Sequence, residues 1–445
     1  MTFTATVVGG GLAGCEAAAA LARHGVRVKL VEMRPVAATP AHQTSSLAEL
    51  VCSNSFKSTE LATSHGLLKA EMRLLGSVVL EAADEARVPG GAALVVDRDE
   101  FAAAVEARLA ALPQIEIVRH EATTLPSPGI VATGPLTSAR LADAIAVRVG
   151  AGSLAFYDAI APIVAGDSLD LRRLYRASRY GKGGPGEDGG AYLNAALDRA
   201  QYERLVDALL AADQYAGKDF DPIPFFEGCL PVEEMARRGR ETLRFGPLKP
   251  VGLRNPSTGR EPHAVVQLRR EDRNAQMWNL VGFQTRLRTG EQRRVLRQIP
   301  GLEAAEFLRF GSVHRNSYLN TPAVLGPSLE ARDDDRLFFA GQLTGVEGYT
   351  ESAATGILAG VNLARTLAGD APVIPPPTTM LGGLLRYLRE ADPAQFQPMN
   401  ANFGLLEPLP ERVRDRARRK GALAARALAD MRAFAASLGA SVAPA

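Results

Sequence analysis

Cysteine is scarce in this chain: three among 445 residues, at positions 15, 52 and 229. No two stand in CxxC spacing, which argues against a disulfide framework, a zinc knuckle and a dithiol redox centre; no metal is expected. So few thiols imply a reducing compartment, and a cytoplasmic location is expected. Apolar runs long enough to span a bilayer are also missing, as is a basic and apolar leader, so neither a membrane helix nor a signal peptide is expected. Net charge is only +2, too small to reveal a nucleic-acid partner, and any basic surface must be local. Apolar residues are abundant at 46 %, enough for the cores of about two or three domains.

The first thirty-odd residues organise the rest. A β-branched run at 4–8 leads into Gly9-Gly10-Gly11-Leu12-Ala13-Gly14, then an alanine-rich helical stretch, then a second apolar run at 26–31 that ends on Glu32. This is strand, glycine turn, helix, strand, acid. The first glycine permits a tight turn, the second lets backbone approach a pyrophosphate, and the third lets helix and strand pack closely. The helix N-terminus offers N–H groups to phosphates, and Glu32 stands where a carboxylate can accept from a ribose hydroxyl. Cys15, on that helix, is assigned to the core.

Further along, Pro35 stops the second strand and 36–66 reads as a polar loop. Cys52 sits in it between small polar residues, either a working thiol or a small buried apolar group. Residues 66–86 read as one amphipathic helix, and Asp97 can cap the helix after it. A strand ending in Ala132-Thr133-Gly134 is a recurrent second fingerprint of flavin-dependent two-dinucleotide-fold proteins. From about 160 the texture changes. Residues 178–190 form a glycine-rich basic loop with Arg179 and Lys182. Cys229 is followed by Pro231 and by Arg237, Arg238, Arg240 and Arg244. Such cations favour a thiolate and attract phosphates, or they simply face solvent. The stretch 313–320, with His314, Arg315 and Asn316, mixes polar and aromatic groups and suits a flat heterocycle. A strand then runs into Gly341-Gln342, and 345–356 opens a small-residue helix. Residues 372–377 are a proline linker. Segment 411–420 carries six positive and two negative charges, either a solubilising helix or an RNA contact.

Several stretches agree on one resemblance: GGGLAG, VEMRP, ELVCSNS, EMRLLGS, RVPGG, ATGPLTS, FFEGCLPVEEMARRG, FGPLKPVGL, VQLRRED, LVGFQT, HRNSYLN and GVEGYTESAATG. Together they resemble the bacterial folate- and FAD-dependent tRNA (uracil-5-)-methyltransferases, the TrmFO family. The resemblance runs to about residue 405. The family is similar to the larger GidA tRNA-modifying flavoproteins, and a GidA-like wobble-uridine enzyme is the nearest alternative. An NAD(P)H flavin oxidoreductase, a flavin-binding RNA module without chemistry and a thymidylate-synthase-like enzyme acting on free nucleotide are the other readings.

The resemblance implies an α/β fold: a Rossmann-like FAD-binding domain of glutathione-reductase type, split by an inserted mixed α/β domain. The expected parts are 1–160 (FAD domain), 161–320 (insert for substrate and tRNA), 321–370 (return to the FAD domain) and 371–445 (proline linker and basic helices). It implies C5-methylation of the T-loop uridine of tRNA, with methylenetetrahydrofolate as carbon donor, reduced FAD as electron donor and NADPH or NADH to reduce the flavin. Cys229 is expected as nucleophile on uracil C6 and Cys52 as base or as handler of the flavin methylene, an assignment the sequence leaves open to exchange. Gly9, Gly10, Gly11, Leu12, Ala13, Gly14, Glu32, Arg34, Gly341, Gln342 and Glu347 are expected at FAD. His314, Arg315, Asn316 and Tyr349 are candidates for the folate pterin. Arg179, Lys182, Arg237, Arg238, Arg418 and Arg419 are candidates for tRNA phosphates. No obligate protein partner is evident.

Overall fold

The computed structural model describes residues 3–39, 41–150, 154–182, 190–215 and 230–439, with backbone alone at 154–158, 314 and 315. Its first sheet runs in the order Glu330–Ala331, Asp334–Phe339, Gly129–Val131, Thr4–Val8, Arg27–Glu32, Ile115–Arg119. All neighbours are parallel except the edge hairpin of the first two. Strands so rich in valine and isoleucine suit a parallel sheet covered on its faces. The chain moves outward from Thr4–Val8 in one direction, then returns on its other side at Gly129–Val131. The crevice at the carboxyl ends of those two strands is therefore a topological switch point, where open α/β sheets bind ligands.

The glycine-turn helix Leu12–Arg23 lies against the long helix Tyr349–Ala368. Small residues make this contact close. A Cβ on Gly356 would overlap the Ala13 carbonyl, and one on Gly360 would lie 2.6 Å from the Ala17 carbonyl oxygen.

A second sheet is antiparallel throughout, in the order Leu174–Ala177, Tyr192–Leu197, Ala264–Arg270, Met277–Leu280, Ile163–Ala165, Phe307–Arg309. It has its own core, with Val206, Leu209, Val266, Leu268, Trp278 and Phe283 buried. A two-stranded antiparallel ribbon, Leu154–Ile160 with Ser312–Tyr318, carries the chain between the two sheets. A small third sheet includes Ser55–Ser58 paired with Ala93–Val96, so the polar segment 36–66 is not loop throughout.

The single helix expected over 66–86 is two, Ser64–Leu74 and Val78–Glu85. Gly76 breaks it at φ +72°. Ser77 caps the second helix at Leu80 N, and buried Glu16 accepts from the Ser77 hydroxyl, Val78 N and Val79 N. The chain after 371 is not a separate appendage. Asn362 exchanges two hydrogen bonds with Val373. The helices Met380–Glu390 and Arg416–Ser437 bury Leu381, Leu384, Leu388, Ala427 and Met431 in the first core. No helix among the described residues is long and apolar enough to cross a membrane.

Glu71 joins this C-terminal part to the rest. Its carboxyl accepts Met380 N at 2.7 Å and Leu381 N at 3.0 Å, capping the helix start. Burial pushes the carboxyl up to about 8 against those two N–H groups. The folded state therefore holds a proton that the unfolded chain releases from about pH 4.3, so this group's contribution to stability falls as pH rises toward 8. Glu71→Gln presents one acceptor where two N–H groups converge. It is expected to cost about 1–3 kcal/mol and to flatten that part of the stability–pH curve, read by urea unfolding at pH 5 and pH 8.

Candidate functional site

The glycine turn sits at the switch point. Gly9 takes φ +107°, and a Cβ there would lie 2.5 Å from the Ala132 carbonyl oxygen. A Cβ on Gly14 would overlap the Gly9 carbonyl. These two glycines are demanded by the protein's own packing. Gly11 is different: a Cβ there would meet no protein atom within 4 Å. It faces a cleft, and the backbone it leaves bare is the start of the helix Leu12–Arg23. That is the surface a pyrophosphate needs, with N–H groups and the positive end of the helix dipole.

One end of the cleft is lined by Gly9, Gly10, Glu32, Arg34, His120 and Thr137. Glu32 ends its strand there and accepts Gly10 N at 2.8 Å and Arg34 Nε at 2.8 Å. Burial pushes this carboxyl up, but the Arg34 guanidinium and the N–H groups outweigh it and hold it below the usual range. Arg34 also pairs with Glu49 at 2.7 Å. The other end is lined by Leu12, Ala13, Cys52, Asn316, Gln342 and Tyr349, around an empty space of about 850 Å³ that is partly open to solvent. Gly11, His42, Thr133 and Leu136 line both ends, so the cleft is continuous. Its shape and donors fit a dinucleotide: a carboxylate at the sugar end, a helix N-terminus in the middle, and an apolar chamber with few polar groups beyond.

The loop carrying Cys52 is held from all sides. Tyr349 Oη accepts Cys52 N at 2.9 Å and Ser53 N at 3.1 Å, with Cys52 Sγ 3.2 Å away. Arg98 donates to the Leu50 carbonyl, and Arg309 donates to the Val51 carbonyl at 3.0 Å. Arg269 donates to Ser53 Oγ at 2.9 Å and to Asn54 Oδ1 at 3.0 Å. Buried Asn54 in turn donates to the Val96 and Arg270 carbonyls. Glu271 fixes Arg98 through a 2.6 Å ion pair. Burial lowers the Arg98 guanidinium's proton affinity, but Glu271 outweighs it and the net shift is upward. Arg98 begins the helix Arg98–Ala110, which packs in the first core, and Arg269 and Arg309 belong to the second sheet, so the thiol sits where the two meet.

Sequence reasoning missed Arg98, Arg269, Glu271 and Arg309 as site residues. The available signal was the RRED run at 269–272, a charged quartet at the end of an apolar strand.

The remaining expected residues fall as follows. Gly341 takes φ +77°, and its N–H donates to Thr355 Oγ1 at 2.8 Å. Gln342 lines the cleft, whereas Glu347 is not among the lining residues. Its carboxylate instead accepts from the Gln342 amide, so it positions Gln342. Tyr349, expected against a pterin, spends its hydroxyl on the Cys52 loop. Asn316 is buried and lines the cleft, while the backbone of His314 and Arg315 runs in the ribbon strand Ser312–Tyr318. Cys229 lies outside the described residues. Cys15 is fully buried, and burial pushes its thiol up, as expected of a core residue.

Among the basic candidates, Arg179 donates to the Lys249 and Val251 carbonyls, Lys182 pairs with Glu60, and Arg237 pairs with Glu234. Arg238 caps the short helix Val232–Arg237. Arg418 and Arg419 are exposed in the first turn of the helix Arg416–Ser437. The exposed pair at Lys182 is worth about 0–1 kcal/mol, whereas Arg237 shares the mostly buried Glu234 with Arg286.

The family model described as Glucose inhibited division protein A matches residues 4–371. A methylenetetrahydrofolate--tRNA-(uracil-5-)-methyltransferase TrmFO of Geobacter sulfurreducens is 57 % identical over 433 residues, 97 % of this chain and 98 % of that protein. The protein of the same name from Moorella thermoacetica is 53 % identical over 430 residues, covering 96 % and 97 %. The structure of Aquifex aeolicus GidA in its form II crystal superposes with a TM-score of 0.72 at 17 % identity, over 98 % of this chain and 74 % of that one. The chain therefore belongs to the Glucose inhibited division protein A family, and within it to the TrmFO group.

Proposed function

We propose that this chain is a methylenetetrahydrofolate-dependent tRNA (uracil-5-)-methyltransferase that binds FAD in the continuous cleft and methylates the T-loop uridine, with NADPH or NADH reducing the flavin. The observation that carries the reading is Cys52, seated at the apolar end of a dinucleotide cleft in a chain more than half identical, end to end, to proteins bearing that name. In this reading the first sheet, 1–160 and 321–370, holds the cofactor, and 161–320 brings the RNA over it.

The chemistry assigns work to each group. C5 of uracil is a weak nucleophile. A thiolate that adds to C6 pushes electrons onto the C4 oxygen, and the enolate so formed makes C5 reactive. Cys229 has that role, because Arg237 and Arg238 follow it closely in sequence to favour a thiolate and to seat the RNA backbone. Gly9, Gly10, Gly11, Leu12, Ala13 and Gly14 hold the FAD pyrophosphate, Glu32 and Arg34 its ribose, and Gln342 its ring, with Glu347 behind. When bound, the reduced flavin supplies the electrons that turn a methylene into a methyl group. His314, Arg315 and Asn316 stand along the ribbon strand to orient the folate. Once C5 carries its new carbon, Cys52 takes the C5 proton. The electron pair left behind expels the nitrogen that carried the methylene; a hydride equivalent, which the reduced flavin would supply, completes the methyl group, and the C5–C6 double bond re-forms as the Cys229 thiolate leaves. Arg179, Lys182, Arg237, Arg238, Arg418 and Arg419 are the phosphate contacts.

Incubation with isotopically labelled methylenetetrahydrofolate, a reduced nicotinamide and T-arm RNA tests the reading by mass spectrometry of the RNA. The expected result is one labelled methyl on the T-loop uridine. Label on a wobble uridine, or on free dUMP alone, would refute it.

A further inference from the structure

A phenol oxygen carries one proton and two lone pairs. Tyr349 Oη accepts N–H groups from both Cys52 and Ser53, at 2.9 and 3.1 Å, so both lone pairs are taken. Cys52 Sγ is the third neighbour, at 3.2 Å. A thiol S–H would find no lone pair there to donate to, whereas the phenol's own proton has the sulfur before it. We infer that Tyr349 donates its hydroxyl proton to the Cys52 sulfur, and that this hydrogen bond selects the thiolate as the resting form of Cys52.

The surroundings agree. Hydrogen bonding to the charged form favours it. Burial, and then the neighbouring Cys52 sulfur, hold the Tyr349 phenol well above its ordinary range, so it keeps the proton it donates. Arg98, Arg269 and Arg309 all bind the 50–54 segment. Glu271 faces Arg98, Glu49 faces Arg34, and His42 lines the same chamber. The cations that touch the loop outnumber the carboxylates, which are themselves paired with arginine. The helix Tyr349–Ala368 begins at Tyr349 itself, so a long rigid element aims the hydroxyl.

The catalytic meaning of this hydrogen bond rests on the function proposed above. A base must be ionised before it can accept a proton. With Tyr349 in place the sulfur is already a thiolate when the alkylated uracil arrives, and the S–H bond forms as the C5–H bond breaks. Tyr349 is thus a positioning residue for the base, and its effect is to be sought in the titration of Cys52.

Site-resolved alkylation by iodoacetamide across pH, read by mass spectrometry of the Cys52 peptide in the full-length protein as purified, tests the inference. Wild type should titrate below the ordinary thiol value of about 8.5. Tyr349→Phe keeps the ring and should move the midpoint up by about one unit, with labelling at pH 7 slowed about tenfold. A thiol that donated to Tyr349 would respond in the opposite sense. A midpoint that falls or does not move in Tyr349→Phe overturns the inference. Cys15, fully buried, reports folding by staying unlabelled. Where Cys15 becomes labelled, or Cys52 is not reached, ultraviolet thiolate titration of wild type against Cys52→Ser decides: a midpoint below 8.5 supports the hydrogen bond, and one at or above it overturns it. Failure of the labelled-folate assay with this titration intact would remove the proposed function and leave the hydrogen bond standing.

Discussion

Gly11→Val is expected to yield a folded protein without bound flavin. The position is open, with no protein atom within 4 Å of a new Cβ, so the substitution strains nothing in the polypeptide. The added methyl groups would occupy the space between the helix N-terminus and the cofactor pyrophosphate. Loss of that approach should cost about 3 kcal/mol or more, roughly 100-fold in affinity. The yellow flavin absorbance should be missing after purification, while the melting temperature matches that of wild type stripped of cofactor. Gly14→Val is the contrast. Its Cβ overlaps the Gly9 carbonyl, so the backbone itself must move, and the expected result is insoluble or strongly destabilised protein. If Gly11→Val purifies with a full complement of FAD, the cleft has been assigned to the wrong ligand.

Cys52→Ala should leave the flavin bound and lower methylation by about 10²–10⁴-fold, the usual span for a general base. Its signature lies in what accumulates. Without a group to take the C5 proton, the covalent link between Cys229 and the C5-alkylated uridine cannot be expelled. A protein–RNA adduct with unmodified T-arm RNA should therefore persist through denaturing electrophoresis. Cys229→Ala should form no adduct, even with a 5-fluorouridine T-arm. Exchange of these two outcomes would mean that the two sulfurs have exchanged roles.

The cofactor cradle was legible because its determinants are local. Strand, turn, helix, strand and acid follow one another within residues 4–32, although Gly9 answers to Ala132, far along the chain. Cys52 was legible as a candidate from its polar flanks, and it lines the cleft. What fixes its chemistry was not, because Arg98, Arg269 and Arg309 are scattered along the chain and converge only through tertiary structure. An arginine in isolation reads as a solvated charge. Tyr349, expected against a pterin, lines the cleft, but its hydroxyl meets backbone N–H groups some 300 positions earlier in the chain, which no local pattern encodes. Likewise the proline run at 372–377 reads as a tether by composition. Partners distant in sequence, Glu71 at the helix start and the buried faces of the two last helices, reveal that the segment after it is docked.

The two-stranded ribbon has an evolutionary consequence. Polypeptide enters and leaves the antiparallel sheet through adjacent strands, Leu154–Ile160 and Ser312–Tyr318. The intervening module can therefore be exchanged for another without severing a strand of the parallel sheet. On the function proposed above, redox machinery and choice of nucleic acid become separately heritable traits, and descendants of one ancestral chain can acquire new targets while keeping the same engine.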